Sequence, residues 1–185
     1  MSRLIQWNML SLDGYFEGAK SWDVEWFQGF FGPELEKFSI EQLRRADALV
    51  FGRVTYEGMA AFWQTARGEV AELMNNLPKV VFSRTLERTD WANTRLVKAD
   101  AVPEVRELKR RGSRDIFVFG SGDLCAGLLA AGLFDEVRLG LIPMVLGRGA
   151  TLFGRDLNRR AMKLLEARPL ANGCVILRYE PRQGE

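Results

Sequence analysis

The sequence predicts an α/β protein: a mixed, mostly parallel sheet covered by helices on both faces and closed by a C-terminal β-hairpin. Three observations carry that expectation. Short apolar runs, such as ALVF at 48–51 and IFVF at 116–119, lack the alternation of a strand with one wet face. Helix-like segments separate most of them, which is the βαβ order of a parallel sheet. Near the end, Ala171-Asn172-Gly173 separates two strand-like segments, 162–170 and 174–180, and Asn-Gly is the strongest short hairpin signal.

The elements follow in order. Residues 3–10 read as a first strand, and Asp13-Gly14 turns the chain. Residues 19–32 are aromatic-rich and irregular. Pro33 opens a helix to about residue 45, because its missing N–H costs nothing in a first turn. Residues 48–51 form a short buried strand, and 55–63 and 69–76 form helices. Strands are expected at 79–83 and 95–98. A helix over 103–111 stops at Gly112, and a strand follows at 116–119. The helix over 123–131 ends at Gly132. A longer strand spans 136–145, with Pro143 marking a bulge or edge position. Gly147 and Gly149 supply a turn after it.

Composition bounds the function. The chain has 185 residues, 47% of them hydrophobic and 27% charged, which suits one domain, 1–185, with a single core. Apolar runs such as 126–131 are far shorter than the ~20 residues of a membrane helix. Without an apolar signal core at the N-terminus, a cytoplasmic, membrane-free protein is expected. The net charge of +2 implies no nucleic-acid partner. Charge is uneven, however: residues 1–50 hold 8 acids and 5 bases, and residues 76–115 hold 10 bases and 6 acids. The basic middle suits a phosphorylated ligand or a solvated helix face. Cys125 and Cys174 read as buried free thiols. There is no histidine, which excludes Ser-His-Asp and Cys-His catalysis and every His-ligated metal; no metal is expected.

Two places join a buried strand to a helix start through glycine. Gly120-Ser121-Gly122 lets backbone approach a ligand closely, and free N–H groups at the helix start favour an anion. The same residues also read as a tight turn capped by Ser121 or Asp123. Gly52-Arg53-Val54-Thr55 has the same layout. Thr55 can cap the helix, and Arg53 offers a forked donor set for phosphate; the alternative is a surface arginine beside a cap. Asp13 either shapes its turn or contacts a ligand. Tyr15, Trp22, Trp26 and Phe27 form either an apolar wall for a planar heterocycle or a patch of core.

Taken in order, SLDG (11–14), VFGRVTYEG (50–58), KVVFSR (79–84) and DIFVFGSGDLCAGLLAAGLFDEVRLGLIPMVLGRGATLF (115–153) resemble the dihydrofolate-reductase-like superfamily. The nearer resemblance is to the branch of the C-terminal reductase domain of the riboflavin-biosynthesis deaminase–reductase. It covers nearly the whole chain and implies a three-layer sandwich, NADPH as cofactor and a homodimer. Gly52, Arg53 and Thr55 would contact the adenosine side. Gly120, Ser121, Gly122 and Leu124 would contact the pyrophosphate. Ser83 and Arg84, with Lys98 further on, would recognise the 2′-phosphate. Asp13 would lie beside the nicotinamide and, with Tyr15 and Trp22, contact substrate. Glu34 loosely matches the acid that dihydrofolate reductases carry on their first helix, so Asp13 and Glu34 are the candidate proton donors; a helix-start glutamate favoured by the macrodipole is the other reading of Glu34.

Two departures bear on substrate. Riboflavin-pathway reductases usually place Glu before two glycines; here Phe119 stands there and Gly-Gly has become Gly-Ser-Gly. Zinc-binding Cys/His spacing is absent, so no deaminase domain is expected. The reading is an NADPH-dependent reductase of a C=N or C=O group on a small pterin-, pyrimidine- or ribosylamino-type substrate, similar to 5-amino-6-(5-phosphoribosylamino)uracil reductase. The alternatives are dihydrofolate reduction itself and a non-catalytic nucleotide-binding or interaction module.

Overall fold

The computed structural model describes residues 1–153 and 157–182. Its strands are β1 (Leu4–Ser11), β2 (Tyr15–Glu17), β3 (Ala46–Gly52), β4 (Lys79–Phe82), β5 (Thr94–Val97), β6 (Asp115–Phe119), β7 (Glu136–Ile142), β8 (Ala150–Thr151), β9 (Met162–Pro169) and β10 (Val175–Pro181). Its α-helices are α1 (Pro33–Leu43), α2 (Arg53–Trp63), α3 (Glu69–Asn76), α4 (Ala101–Arg111) and α5 (Gly122–Ala130). The segment expected to be irregular contains a 3-10 helix, Glu25–Phe30.

Eight strands form one sheet in the order β5-β4-β3-β6-β1-β7-β10-β9. The pairs from β5 to β7 are parallel, and β10 runs antiparallel to β7 and to β9. The hairpin therefore leaves β9 at one edge, with β10 inside the sheet. Strand β7 ends at Ile142, so Pro143 lies just beyond the strand, and the expected bulge or edge is not needed. β2 and β8 make a separate two-stranded ribbon.

Side chains of the central strands alternate between two cores. Ile5, Leu49, Phe51, Phe117 and Ile176 face α1, α2 and α3. Leu4, Ala48, Val50, Ile116 and Val118 face α4 and α5. Two covered faces explain why these strands read as continuous apolar runs. On α1 the buried stripe is Leu35, Phe38, Ser39, Gln42 and Leu43, the spacing of one helical face.

Two buried charges need partners. Lys79 is 1% exposed, and its Nζ donates to the carbonyls of Met74, Asn75 and Leu77. It thereby closes the C-terminus of α3, where orphan carbonyls and the helix dipole favour a cation. Glu136, 2% exposed, lies 2.6 Å from Arg138 and Arg178 and 3.4 Å from Arg3. Burial alone would raise its pKa, but hydrogen bonds from Arg178 and Arg138 outweigh burial and hold it near 2.

Candidate functional site

Strands β3 and β6 are neighbours, and their chains leave the sheet in opposite directions. β3 leads into α2 on one face, and β6 leads into α5 on the other. Such a switch point opens a crevice at the carboxyl ends of the strands. A cavity of about 600 Å³ lies there. It runs from the starts of α2 and α5 to an apolar chamber beneath α1, α2 and α3.

Both helix starts lack a side-chain cap. Gly52 precedes α2, and Ser121 precedes α5 in a left-handed conformation, φ 58°. The capping roles expected of Thr55, Ser121 and Asp123 are therefore corrected. Thr55 sits inside the first turn of α2 and is buried. Ser121 Oγ accepts from the Gly52 N–H at 2.8 Å and donates to Thr55 Oγ1 at 2.9 Å. The two loops are joined through one hydroxyl. Gly120 has φ 53°, and a Cβ there would approach Thr55 Oγ1 to 2.7 Å, so glycine is required on both counts. Asn8 of β1, with its amide turned to satisfy both neighbours, accepts from the Gly120 N–H at 3.2 Å.

Of the expected cofactor residues, Gly52, Arg53, Thr55, Gly120, Ser121, Gly122 and Leu124 line the cavity. Arg53 pairs with Glu57 at 3.0 Å and is about half exposed. Ser83 and Arg84 lie outside the lining, beside Phe82, which belongs to it. Ser83 Oγ accepts from the N–H groups of Thr85 and Leu86. Arg84 and Lys98 are exposed.

The expected acids are elsewhere. Asp13 is exposed and holds a turn: it accepts from Ser11 Oγ at 2.6 Å, from the Gly147 N–H at 2.7 Å and from the Leu146 N–H at 3.1 Å. The Ser11 hydroxyl, ahead of these backbone donors, brings its pKa down to about 2. Its carboxylate is thus spent on locking the loop after β7 and does not reach the cavity wall. Glu34 falls one position before the buried stripe of α1, so it points outward and accepts from the Ala171 N–H at 2.7 Å in the hairpin turn. Neither carboxylate belongs to the cavity lining.

Trp22 and Phe27 line the cavity; Tyr15 and Trp26 do not. The wall position on β2 is taken by Phe16. Trp22 lies against α2 at Gly58, where any methyl group would overlap its indole. Further wall residues outside the expected set include Trp7, Asn8 and Met9 from β1, Ser39, Gln42 and Leu43 from α1, and Met59, Trp63, Val70 and Met74 from α2 and α3 and their ends. Polar Asn8 within an apolar strand, and Gln42 on a buried stripe, were the available signals. Among the described residues no group of three or more His, Cys, Asp or Glu is placed to hold a metal. Cys125 and Cys174 are free and buried. No helix among them is long and apolar enough to cross a membrane.

The three-layer sheet and the paired glycine loops at its switch point define a dihydrofolate-reductase-like α/β protein. The solved structure of a Shewanella sp. PV-4 protein named for riboflavin biosynthesis superposes with a TM-score of 0.81 at 22% identity, covering 98% of this chain and 99% of that one. Dihydrofolate reductase from Enterococcus faecalis, solved with NADP(H), superposes with a TM-score of 0.69 at 16% identity, covering 98% and 97%. In sequence, the uncharacterized protein YyaP of Bacillus subtilis (strain 168) is 28% identical over 175 residues, 92% of this chain and 90% of that protein. The RibD C-terminal domain family matches residues 3–176, and the chain belongs to it.

Proposed function

We propose that this protein is an NADPH-dependent reductase acting on a C=O or C=N group of a small molecule. The observation that carries the reading is the meeting of two uncapped helix starts at one switch point, opening into an apolar chamber. The donor set fits a dinucleotide. First-turn N–H groups of α2 and α5 suit the pyrophosphate, and Arg53 adds a guanidinium beside them. Ser83 and Arg84, at the neighbouring strand end, are the proposed contacts of a 2′-phosphate.

A reduced nicotinamide held there would supply a hydride. The protein's own part is binding, orientation and exclusion of water. Trp22, Phe27 and Met59 close the chamber, and the Ser121 hydroxyl fixes the distance between the two phosphate-facing loops. With Asp13 and Glu34 both engaged elsewhere, the proton comes from water. The absence of an acid from the chamber side of α1 also speaks against dihydrofolate reduction. Phe119, where riboflavin-pathway reductases usually carry Glu, speaks against the phosphoribosylaminouracil substrate.

The chain is also proposed to form a homodimer. Leu164 and Leu165, 52% and 44% exposed on edge strand β9, support that reading.

Titration with NADPH and with NADH, followed by nicotinamide fluorescence, tests the cofactor. Micromolar NADPH binding with much weaker NADH binding is expected. Arg53→Ala is expected to weaken NADPH; a loss below threefold, or ~0.7 kcal/mol, would remove Arg53 from the site. No binding of either nucleotide would favour the interaction-module reading.

A further inference from the structure

Among the described residues, the chamber beneath α1, α2 and α3 is lined by no charged side chain. The cavity's charged lining residues are Glu17, Arg53 and Asp123, on β2 and at the starts of α2 and α5. The chamber itself is walled by Trp7, Met9, Leu43, Met59, Trp63 and Met74. A carboxylate or phosphate placed there would lose its hydration with no countercharge in the described lining, since Arg138 behind Gln42 is already paired with Glu136, and a protonated imine or amine would fare no better. The lining favours an uncharged occupant.

Two donors on the α1 and β1 side of the chamber remain unused among the described residues. The Gln42 carbonyl oxygen accepts from Arg138 at 2.8 Å. Arg138 is itself held by Glu136 at 2.6 Å, and both are buried. This ion pair fixes which way the Gln42 amide faces, and leaves its NH2 as the group without an acceptor. The Trp7 indole N–H likewise has no acceptor among the described residues. Neither nitrogen is sealed off in the protein: among the described residues, the fully buried unpaired side-chain atoms are Gln6 Oε1 and Trp26 Nε1. Of the other polar groups beneath α1, Ser39 donates to the Leu35 carbonyl, Asn8 serves Gly120 and Trp7 backbone groups, and the Trp63 indole donates to Met59 Sδ at 3.1 Å, while the Trp22 indole lies on the α2 side against Gly58.

We propose that the chamber binds a flat, uncharged carbonyl compound, with its oxygen accepting from the Gln42 amide and the Trp7 indole. This rests on the reductase reading for its chemistry but not for its binding. A reduced nicotinamide bound at the two loops would supply a hydride to the carbonyl carbon; the C=O π pair would move to oxygen, which would take a proton from water to give the alcohol. Gln42 and Trp7 face the developing negative charge, where fixed donors in a dry site act most strongly.

The test uses three probes of one ring system: 2-acetylnaphthalene, 2-ethylnaphthalene and 2-naphthoate. Affinities are measured by equilibrium dialysis without nucleotide, and NADPH is titrated in parallel. The ketone should bind at least tenfold more tightly than the hydrocarbon, and the carboxylate should bind worst. Gln42→Glu keeps an oxygen for Arg138 and replaces the donor with an acceptor. It should reduce the ketone-over-hydrocarbon preference at least fivefold, a ratio that a merely structural role, which weakens both probes alike, would not move. Trp7→Phe, which keeps the ring, should reduce the preference in the same way. Naphthoate binding as tightly as the ketone, or an unchanged preference in both variants, overturns the proposal. Ketone selectivity without NADPH binding would sink the reductase reading and leave the carbonyl site standing.

Discussion

Ser121 and Thr55, 66 residues apart in sequence, are joined hydroxyl to hydroxyl at 2.9 Å across the gap between two helix starts. The same Ser121 oxygen receives the Gly52 N–H. A residue held in a left-handed conformation without glycine's freedom is costly, and these two bonds offset the strain.

Removing the hydroxyl separates strain from linkage. Ser121→Ala keeps the strained backbone and loses both bonds, so a stability loss of about 1–2 kcal/mol is expected in urea unfolding. Ser121→Gly loses the bonds but relieves the backbone, and should cost less. Both should weaken NADPH, because the loops are no longer held at a fixed spacing. Ser121→Ala as stable as the parent would show that the bridge contributes nothing.

Asp123 stands in the first turn of α5, facing the proposed pyrophosphate. A negative side chain there stabilises the helix and opposes an anionic ligand. Asp123→Asn should therefore tighten NADPH about twofold to threefold and lower stability by about 0.5 kcal/mol. Weaker nucleotide binding in this variant would place the phosphates elsewhere.

Acid should unfold the protein through Glu136. Its carboxyl titrates near 2 when folded, against an ordinary 4.5. The folded value is depressed, so the stabilisation is complete above about 4.5 and is lost as pH falls from there toward 2. A buried carboxyl held so low contributes on the order of 3 kcal/mol. Unfolding free energy measured from pH 6 to pH 3 should fall, and Glu136→Gln should flatten that fall at the expense of stability at pH 7. An acid limb unchanged by the substitution would assign it to other carboxylates, such as Asp47, which is also held near 2.

Gly58 makes room for Trp22 against α2. Gly58→Ala should leave the helix intact, since alanine is the better helix former, but expel the indole from the cavity wall. A red shift of tryptophan emission with retained helical ellipticity is the expected signature. Unchanged emission would mean that Trp22 is not seated there in solution.

The proposed homodimer is tested by sedimentation. A dimer at micromolar concentration is expected, and Leu164→Glu should weaken it. A monomer at that concentration would reject it.

The order of helices and strands was legible because it is written locally. Pro33, Gly112, Gly132 and Asn172-Gly173 end or begin elements by backbone chemistry that needs no distant partner. Apolar runs on β3 and β6 announced two covered faces, and the glycine loops at 52 and 120–122 announced where backbone comes close. What the sequence could not determine was where each polar side chain is spent. Asp13 and Glu34 read as proton donors by position in a motif. Tertiary contacts engage them instead with the 146–147 backbone and with Ala171, outside the cavity lining. Gln42 gave no sign as a donor: its orientation is set by Arg138, 96 residues away, and by the Glu136 that holds Arg138. Sequence determines which groups exist and which face of an element they occupy. Only the packed structure decides which of their hydrogen bonds are already made, and therefore which remain for a ligand.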